Sequence, residues 1–497
     1  MSEKIKIVIV GGGTAGWMTA AALSSIATDK VCEVTLVESD QIATVGVGEA
    51  TIPAIKEFND RLGIIESEMM QKTAATFKLG IEFVDWSRLG SSYIHPFGTY
   101  GETYKGVDFH QLWQRDQAAG GQLPLERYSY AIQAARANRF EFPATADSVS
   151  STYSYAYHFD AGLYANFLKE FAVARKATRV EGKVIKINRA ENGNVSSIEL
   201  ENGKELAGDY FIDCSGFRSL LLGEELGVEF ESWKKWLACD RALAVQSEGI
   251  DDIPPYTRAT AKSAGWQWRI PLQHRVGNGL VYAGDFISDA KATDEIMQSV
   301  ESPLSDLKQI KFEAGRRRAS WVKNCIGIGL SSGFLEPLES TSIYLIQVAI
   351  VNFLKLLHGK VADKSVVREF NRLVDLEYDR VRDFLILHYK LTERSDSEFW
   401  QYCRNMEVPD SLQEKIELYT KRGYIDQYRY GLFSPSSWLA VLSGQGGVPK
   451  CAEPMAEKIN LSEAQAKMRE LQSSIEGKVA QMSSHHHFLH GYCPYNS

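Results

Sequence analysis

The stretch 5-IKIVIVGGGTAGWMTA-20 decides the fold. Residues 5–10 are dominated by β-branched side chains and read as a buried parallel strand. Gly11, Gly13 and Gly16 then form G-x-G-x-x-G. Gly11 permits the tight turn, Gly13 lets the backbone approach a pyrophosphate, and Gly16 lets the following helix pack on the strand. Thr14 and Ala15 open that helix, whose free N–H groups face an anion. A second strand, CEVTLVES (32–39), ends with Glu38 placed to accept a hydrogen bond from a ribose hydroxyl. Strand, glycine turn, helix and acid-terminated strand predict a dinucleotide held by a doubly wound, Rossmann-like α/β domain.

Working outward, 497 residues are enough for two to four lobes at about 150 residues each. A net charge of -8 leaves no basic surplus for wholesale nucleic-acid binding. Seven cysteines without C-x-x-C spacing fit reduced thiols better than a disulfide framework. No signal peptide is recognisable, and a cytoplasmic protein is expected. The apolar stretch at 343–357 is broken by Gln347, Asn352 and Lys355, so it reads as a buried helix and not a membrane span. The histidines at 485–487 look tag-like, but FLHGYCPYNS follows them, so they read as native and non-metal.

Residues 182–216 predict a run of strands with hairpin signals at Asn192-Gly193 and Asn202-Gly203. Residues 243–247 and 279–284 add strands. Beyond 335 the pattern turns helical. Val367, Phe370, Val374, Tyr378, Val381, Leu385 and His388 fall on one apolar helical face. The expected organisation is a flavin-binding core over 1–355, with substrate-lobe segments inserted at about 80–180 and 225–320. A helical region over 356–497 would cover the substrate.

DYFIDCSGFRS (209–219) and NCIGIGLSSGFLEP (324–337) resemble two later elements of FAD monooxygenase-like proteins. With the first turn they favour FAD over NAD. No second G-x-G-x-x-G is present for NADPH, so electrons must come from outside. GWQWRIP (265–271), FLEPLESTSI (334–343), GVGEATIP (46–53), ATFKLGIEF (75–83) and HPFG (95–98) then narrow the match. Together they resemble the blocks of the flavin-dependent tryptophan halogenases, in family order over most of the chain.

That resemblance implies a two-component enzyme. A separate NAD(P)H-flavin reductase supplies FADH2 by diffusion, and oxygen converts it to a flavin hydroperoxide. Chloride or bromide yields hypohalous acid, which passes along a tunnel to an essential lysine, here Lys78. A glutamate, here Glu339, stabilises or deprotonates the cationic arene. The resemblance also implies flavin contacts from Gly48, Glu49, Ala50, Val184, Gly329 and Leu330. It implies halide contacts from Thr341 and Ser342, and a tunnel wall of Trp266, Trp268, Ile270, Pro271 and Ser340. Aromatic-substrate contacts are implied for His95 and Phe97, with Phe433, Trp438 and Tyr430 lining a more open pocket. The oligomeric state expected is monomer or homodimer.

The residue chemistry fits these roles. A lysine is ordinarily a solvated surface charge. Lys78, however, lies in the apolar TFKLGIEF, where a charge is costly unless paired or functional. As an ammonium it can polarise hypohalous acid by a hydrogen bond; as a neutral amine it can carry the halogen. Glu339 also suits a helix N-terminus, as do Ser340, Thr341 and Ser342 as caps. Glu336, before a proline, reads as structural. Trp266 and Trp268 share a strand face, as core or as a wall between flavin and substrate. Phe433 and Trp438 equally suit core packing. His95 has no accompanying metal-ligand cluster.

Two departures from the family pattern stand out. Ser342 replaces a glycine at the halide site. In 424–446 no glutamate stands where the family clamps the amino-acid backbone, and Tyr428 falls roughly there. The expected substrate is therefore indole, a substituted indole or another electron-rich arene, with peptide-bound tryptophan open and free tryptophan disfavoured. The main rival reading, a single-component aromatic monooxygenase, calls for Gly-Asp in the GIGLSSG segment, where Leu330 stands. A non-catalytic flavin sensor would need neither Lys78 nor Glu339.

Overall fold

A computed structural model describes residues 4–41, 49–145, 148–428 and 431–495. Its first layer is a six-stranded sheet in the order Trp321–Val322, Cys325–Gly327, Tyr210–Asp213, Ile5–Val10, Cys32–Glu38, Thr178–Glu181. All neighbours are parallel except the terminal Trp321–Val322 hairpin. The β-branched run of Ile5–Val10 sits in the interior of this sheet because both of its faces are covered. The expected doubly wound parallel domain is present.

The second layer is a seven-stranded, largely antiparallel sheet. Its order is Lys308–Lys311, Arg241–Glu248, Arg275–Tyr282, Gly265–Pro271, Thr257–Lys262, Gly80–Val84, Ser92–Pro96. Only Thr257–Lys262 and Gly80–Val84 run parallel. A small third sheet sets Ala156–Phe159 between Glu49–Ala50 and Thr76–Lys78, pairing Lys78 with Ala156. The predicted 182–216 run resolves into Val184–Arg189, Val195–Leu200, Glu205–Ala207 and Tyr210–Asp213, with Gly193 and Gly203 at positive φ in the turns.

The helix Ser342–Leu356 follows, then the long helix Lys364–Lys390. The latter buries Phe370, Val374, Tyr378, Val381, Leu385 and His388 from the predicted apolar face; Val367 is only half-buried. No helix among the described residues is long and apolar enough to cross a membrane. The main apolar cluster runs from Ile5 in the first strand to Cys493 behind the last described helix, with two smaller clusters beside it.

Candidate active site

The glycine turn forms one end of a cavity of about 620 Å³. Gly11 has φ +117°, and a Cβ there would meet the Cys214 carbonyl at 2.2 Å. Gly16 packs the helix on the strand: a Cβ there would lie 1.9 Å from the Gly11 carbonyl. Gly13 differs, because a Cβ there would meet no protein atom within 4 Å and Gly13 lines the cavity. It also precedes the helix Thr14–Ala22 without any side-chain cap, leaving free N–H groups toward the cavity. This cradle suits a pyrophosphate.

Thr14, Ala15, Glu38, Ala50, Val184, Gly329 and Leu330 also line the cavity. Glu49 lies in the strand beside it, and Gly48 falls outside the described residues. Glu38 is fixed by three donors. Trp17 donates its indole N–H to Oε2 at 3.1 Å, Arg179 donates to Oε1, and Lys169 lies 3.4 Å away. Trp17 thus aims the acid at the end of the second strand, a role that the sequence motif alone does not disclose.

The tunnel residues divide. Trp268, Ile270 and Ser340 line the cavity, whereas Trp266 and Pro271 do not. Trp266 turns its N–H to Glu336 Oε1 at 3.1 Å, where Tyr389 also donates. Burial lifts the Glu336 carboxyl to about 7, although these two donors lower it. Pro271 instead offers its carbonyl to the Thr76 hydroxyl. Both belong to the packing behind the wall, because their strand is buried on both faces.

Lys78 lies at the far side of Ser340. Its Nζ is fully buried and donates to Ser340 Oγ at 2.8 Å and to the Thr51 carbonyl at 2.9 Å, with the Phe97 ring centroid 5.1 Å away. Burial pulls the ammonium down to about 7, against the opposing pull of Glu339. Ser340 itself takes a left-handed backbone, φ 58°, at the junction of the cavity and the lysine. One serine therefore touches both the cavity and the lysine.

Glu339 is 1 % exposed and stands between two histidines. His95 Nδ1 lies 2.8 Å from Oε2, and His388 Nε2 lies 2.8 Å from Oε1. Burial raises the carboxyl, but the histidines override it and hold it at about 2. His388 was legible only as part of an apolar helical face. Its spacing gave no sign that it meets a glutamate from the P-L-E-S-T segment.

Neither Ser340 nor Thr341 caps the helix Ser342–Leu356 through its side chain, contrary to the expected capping. Ser340 is occupied by Lys78. Thr341 Oγ1 is buried without a partner among the described residues, and Ser342 lines the cavity. The predicted substrate aromatics form a stack: Phe433 lies on Phe384 at 3.7 Å, and Trp438 meets Phe384 edge-on at 5.1 Å. His95 joins this cluster, 6.2 Å from Phe433 and 6.5 Å from Phe97. Tyr430 lies outside the described residues.

Known proteins share this architecture. A family model described as tryptophan halogenase matches residues 6–460. The tryptophan 6-halogenase SttH of Streptomyces toxytricini is 38% identical, over 89% of this chain and 90% of that protein. The tryptophan 7-halogenase RebH of Lentzea aerocolonigenes is 35% identical, over 91% and 92%. BrvH, a flavin-dependent halogenase from Brevundimonas sp. BAL3, superposes with a TM-score of 0.95 at 44% identity, covering 99% of this chain and 100% of that one. These matches agree with the glycine cradle and the buried lysine: the chain belongs to the tryptophan halogenase family and is a flavin-dependent halogenating enzyme.

Proposed function

We propose that the protein halogenates indole or an indole derivative at the pocket bounded by Lys78, Glu339, His95 and Phe97, using FADH2, oxygen and chloride or bromide. The observation that carries this reading is Ser340, which lines the flavin cavity and accepts a hydrogen bond from the buried Lys78 Nζ. The glycine cradle, Glu38, Ala50, Val184, Gly329 and Leu330 would hold FAD, and its reduced form supplies hypohalous acid when oxygen and halide are present. A separate reductase supplies the reduced flavin.

Lys78 receives the hypohalous acid and holds it by an N–H donor while the arene attacks. Its low position near neutrality lets the amine give up a proton readily as hydroxide departs. Glu339 opposes the positive charge that develops on the ring in a water-poor site. Trp268 and Ile270 wall the flavin cavity and keep the arene from the flavin. Thr341 and Ser342 supply the halide site. Phe433 and Trp438 offer ring faces to an aromatic substrate. Without the family's glutamate in 424–446, an indole lacking the amino-acid backbone suits the pocket better than free tryptophan.

The test couples the protein to a flavin reductase with oxygen, bromide and indole. Brominated indole is expected. Lys78→Ala removes that product while FAD binding, followed by fluorescence quenching, persists. Normal bromination by Lys78→Ala overturns the lysine's role, and hydroxylated product alone favours a monooxygenase.

A further inference from the structure

In the mechanism above Glu339 is the available carboxylate, yet its environment leaves it poorly placed to accept a proton from carbon. Oε2 is engaged by His95 Nδ1 at 2.8 Å, and Oε1 faces His388 Nε2 at 2.8 Å. The second approach is an ion-pair contact and not a linear hydrogen bond. His388 Nδ1 lies 2.8 Å from the Phe384 carbonyl, which can only accept, so Nδ1 carries a hydrogen. Oε2 of Glu339 is therefore hydrogen-bonded and Oε1 is crowded by His388 without a hydrogen bond, in a place where all three side chains are at most 3 % exposed.

His95 is arranged differently. Its Nδ1 meets the Glu339 carboxylate at 2.8 Å, which leaves Nε2 on the opposite side of the ring. Nε2 makes no hydrogen bond among the described residues. The imidazole sits among the rings of Phe97, Phe384 and Phe433, where an arene is expected to bind. A carboxylate that orients an imidazole and stabilises its protonated form is a general device for making a histidine base.

We infer that His95, through Nε2, removes the ring proton after halogen transfer, with Glu339 as its orienting carboxylate and His388 as the anchor of Glu339. This rests on the proposed placement of the arene beside Lys78. The ring π pair forms the carbon–halogen bond as the halogen–oxygen bond of hypohalous acid breaks. Lys78 passes a proton to the departing hydroxide, giving water. The C–H pair then returns to the ring and its proton moves to His95 Nε2. Proton return from His95 to the Lys78 amine restores both groups, and the net change is arene plus hypohalous acid to haloarene plus water. Glu339 is thus a positioning residue and His388 a second one behind it.

The experiment is a single turnover of the FADH2-loaded enzyme with bromide, oxygen and either indole or indole deuterated at the brominated carbon. Wild type is expected to show no isotope effect, because proton loss follows a slower step. His95→Asn is expected to brominate roughly 10²-fold more slowly and to show a primary isotope effect. His95→Ala is expected to regain rate with added imidazole. His388→Leu is expected to show the same isotope effect, and His388→Gln, which keeps a polar group toward Oε1, to lose it. Retained FAD quenching certifies each variant as folded. A His95→Asn rate equal to wild type, or a slow rate with no isotope effect and no imidazole rescue, overturns the base. Absence of brominated product from wild type itself overturns the arene placement and the base with it.

Discussion

Lys78 carries an energetic burden that its role requires. The unfolded lysine keeps its ordinary value of 10.5, while burial draws the folded one to about 7. Below about pH 7 both states hold the proton, and the folded state bears the full penalty of a buried cation. As pH rises from 7 toward 10.5 the folded state has lost its proton while the unfolded state still binds one, so the penalty fades. Lys78→Met is therefore expected to raise stability by a few kcal/mol at pH 7. Urea unfolding at a series of pH values should show that gain shrinking toward pH 10.5. A gain that stays constant with pH would mean that Lys78 is not titrating within the fold. Glu339 has the opposite sign: its carboxyl sits at about 2, so the stability it lends through His95 and His388 is present at neutral pH and lost only as pH falls from 4.5 toward 2.

At the scale of elements, the glycine turn makes a sharper prediction than its motif suggests. Gly11→Ala forces a side chain onto the Cys214 carbonyl at φ +117°, so it disrupts the contact between Ile5–Val10 and the end of Tyr210–Asp213. Gly13→Ala meets no protein atom and its φ of -75° suits alanine. Gly13→Ala is expected to keep stability within about 0.5 kcal/mol of wild type while losing flavin affinity, and Gly11→Ala to lose both. Paired thermal melts and flavin titrations separate the two. An unchanged flavin affinity in Gly13→Ala would place the pyrophosphate elsewhere. This turn was legible because its signal is local: strand, glycines, helix and acid lie within one short stretch. The parallel pairing of Gly80–Val84 with Thr257–Lys262 was not, since nothing in either strand encodes a partner so distant in sequence. The candidate site divides in the same way. Lys78 and Glu339 stood out through their blocks, whereas His388 looked like one more member of an apolar stripe until the long helix brought it to Glu339.

Across the whole molecule, core formation has hidden nearly all the thiols. Cys32, Cys214, Cys239, Cys325, Cys403 and Cys493 are buried, and Cys451 is exposed. Burial also raises the thiols of Cys32, Cys214 and Cys493 above their ordinary value, which further quiets them. A native-state thiol titration is expected to label one cysteine promptly, and Cys451→Ser to remove that reaction. All seven should react after denaturation. Prompt labelling of several thiols in the native protein would contradict the burial of the other six.

Burial also ties the lysine strand to a segment distant in sequence through an unexpected residue. His485, the first of the tag-like histidines, is fully buried; its Nε2 accepts the Phe77 backbone N–H at 3.2 Å and its Nδ1 donates to the Ile253 carbonyl at 2.9 Å. The backbone beside Lys78 is thus completed by a segment more than four hundred residues later. During synthesis, the glycine turn and its first sheet neighbours leave the ribosome long before residue 485 does. A nascent chain can assemble much of its cradle early, but the lysine strand gains this partner only once residue 485 has emerged.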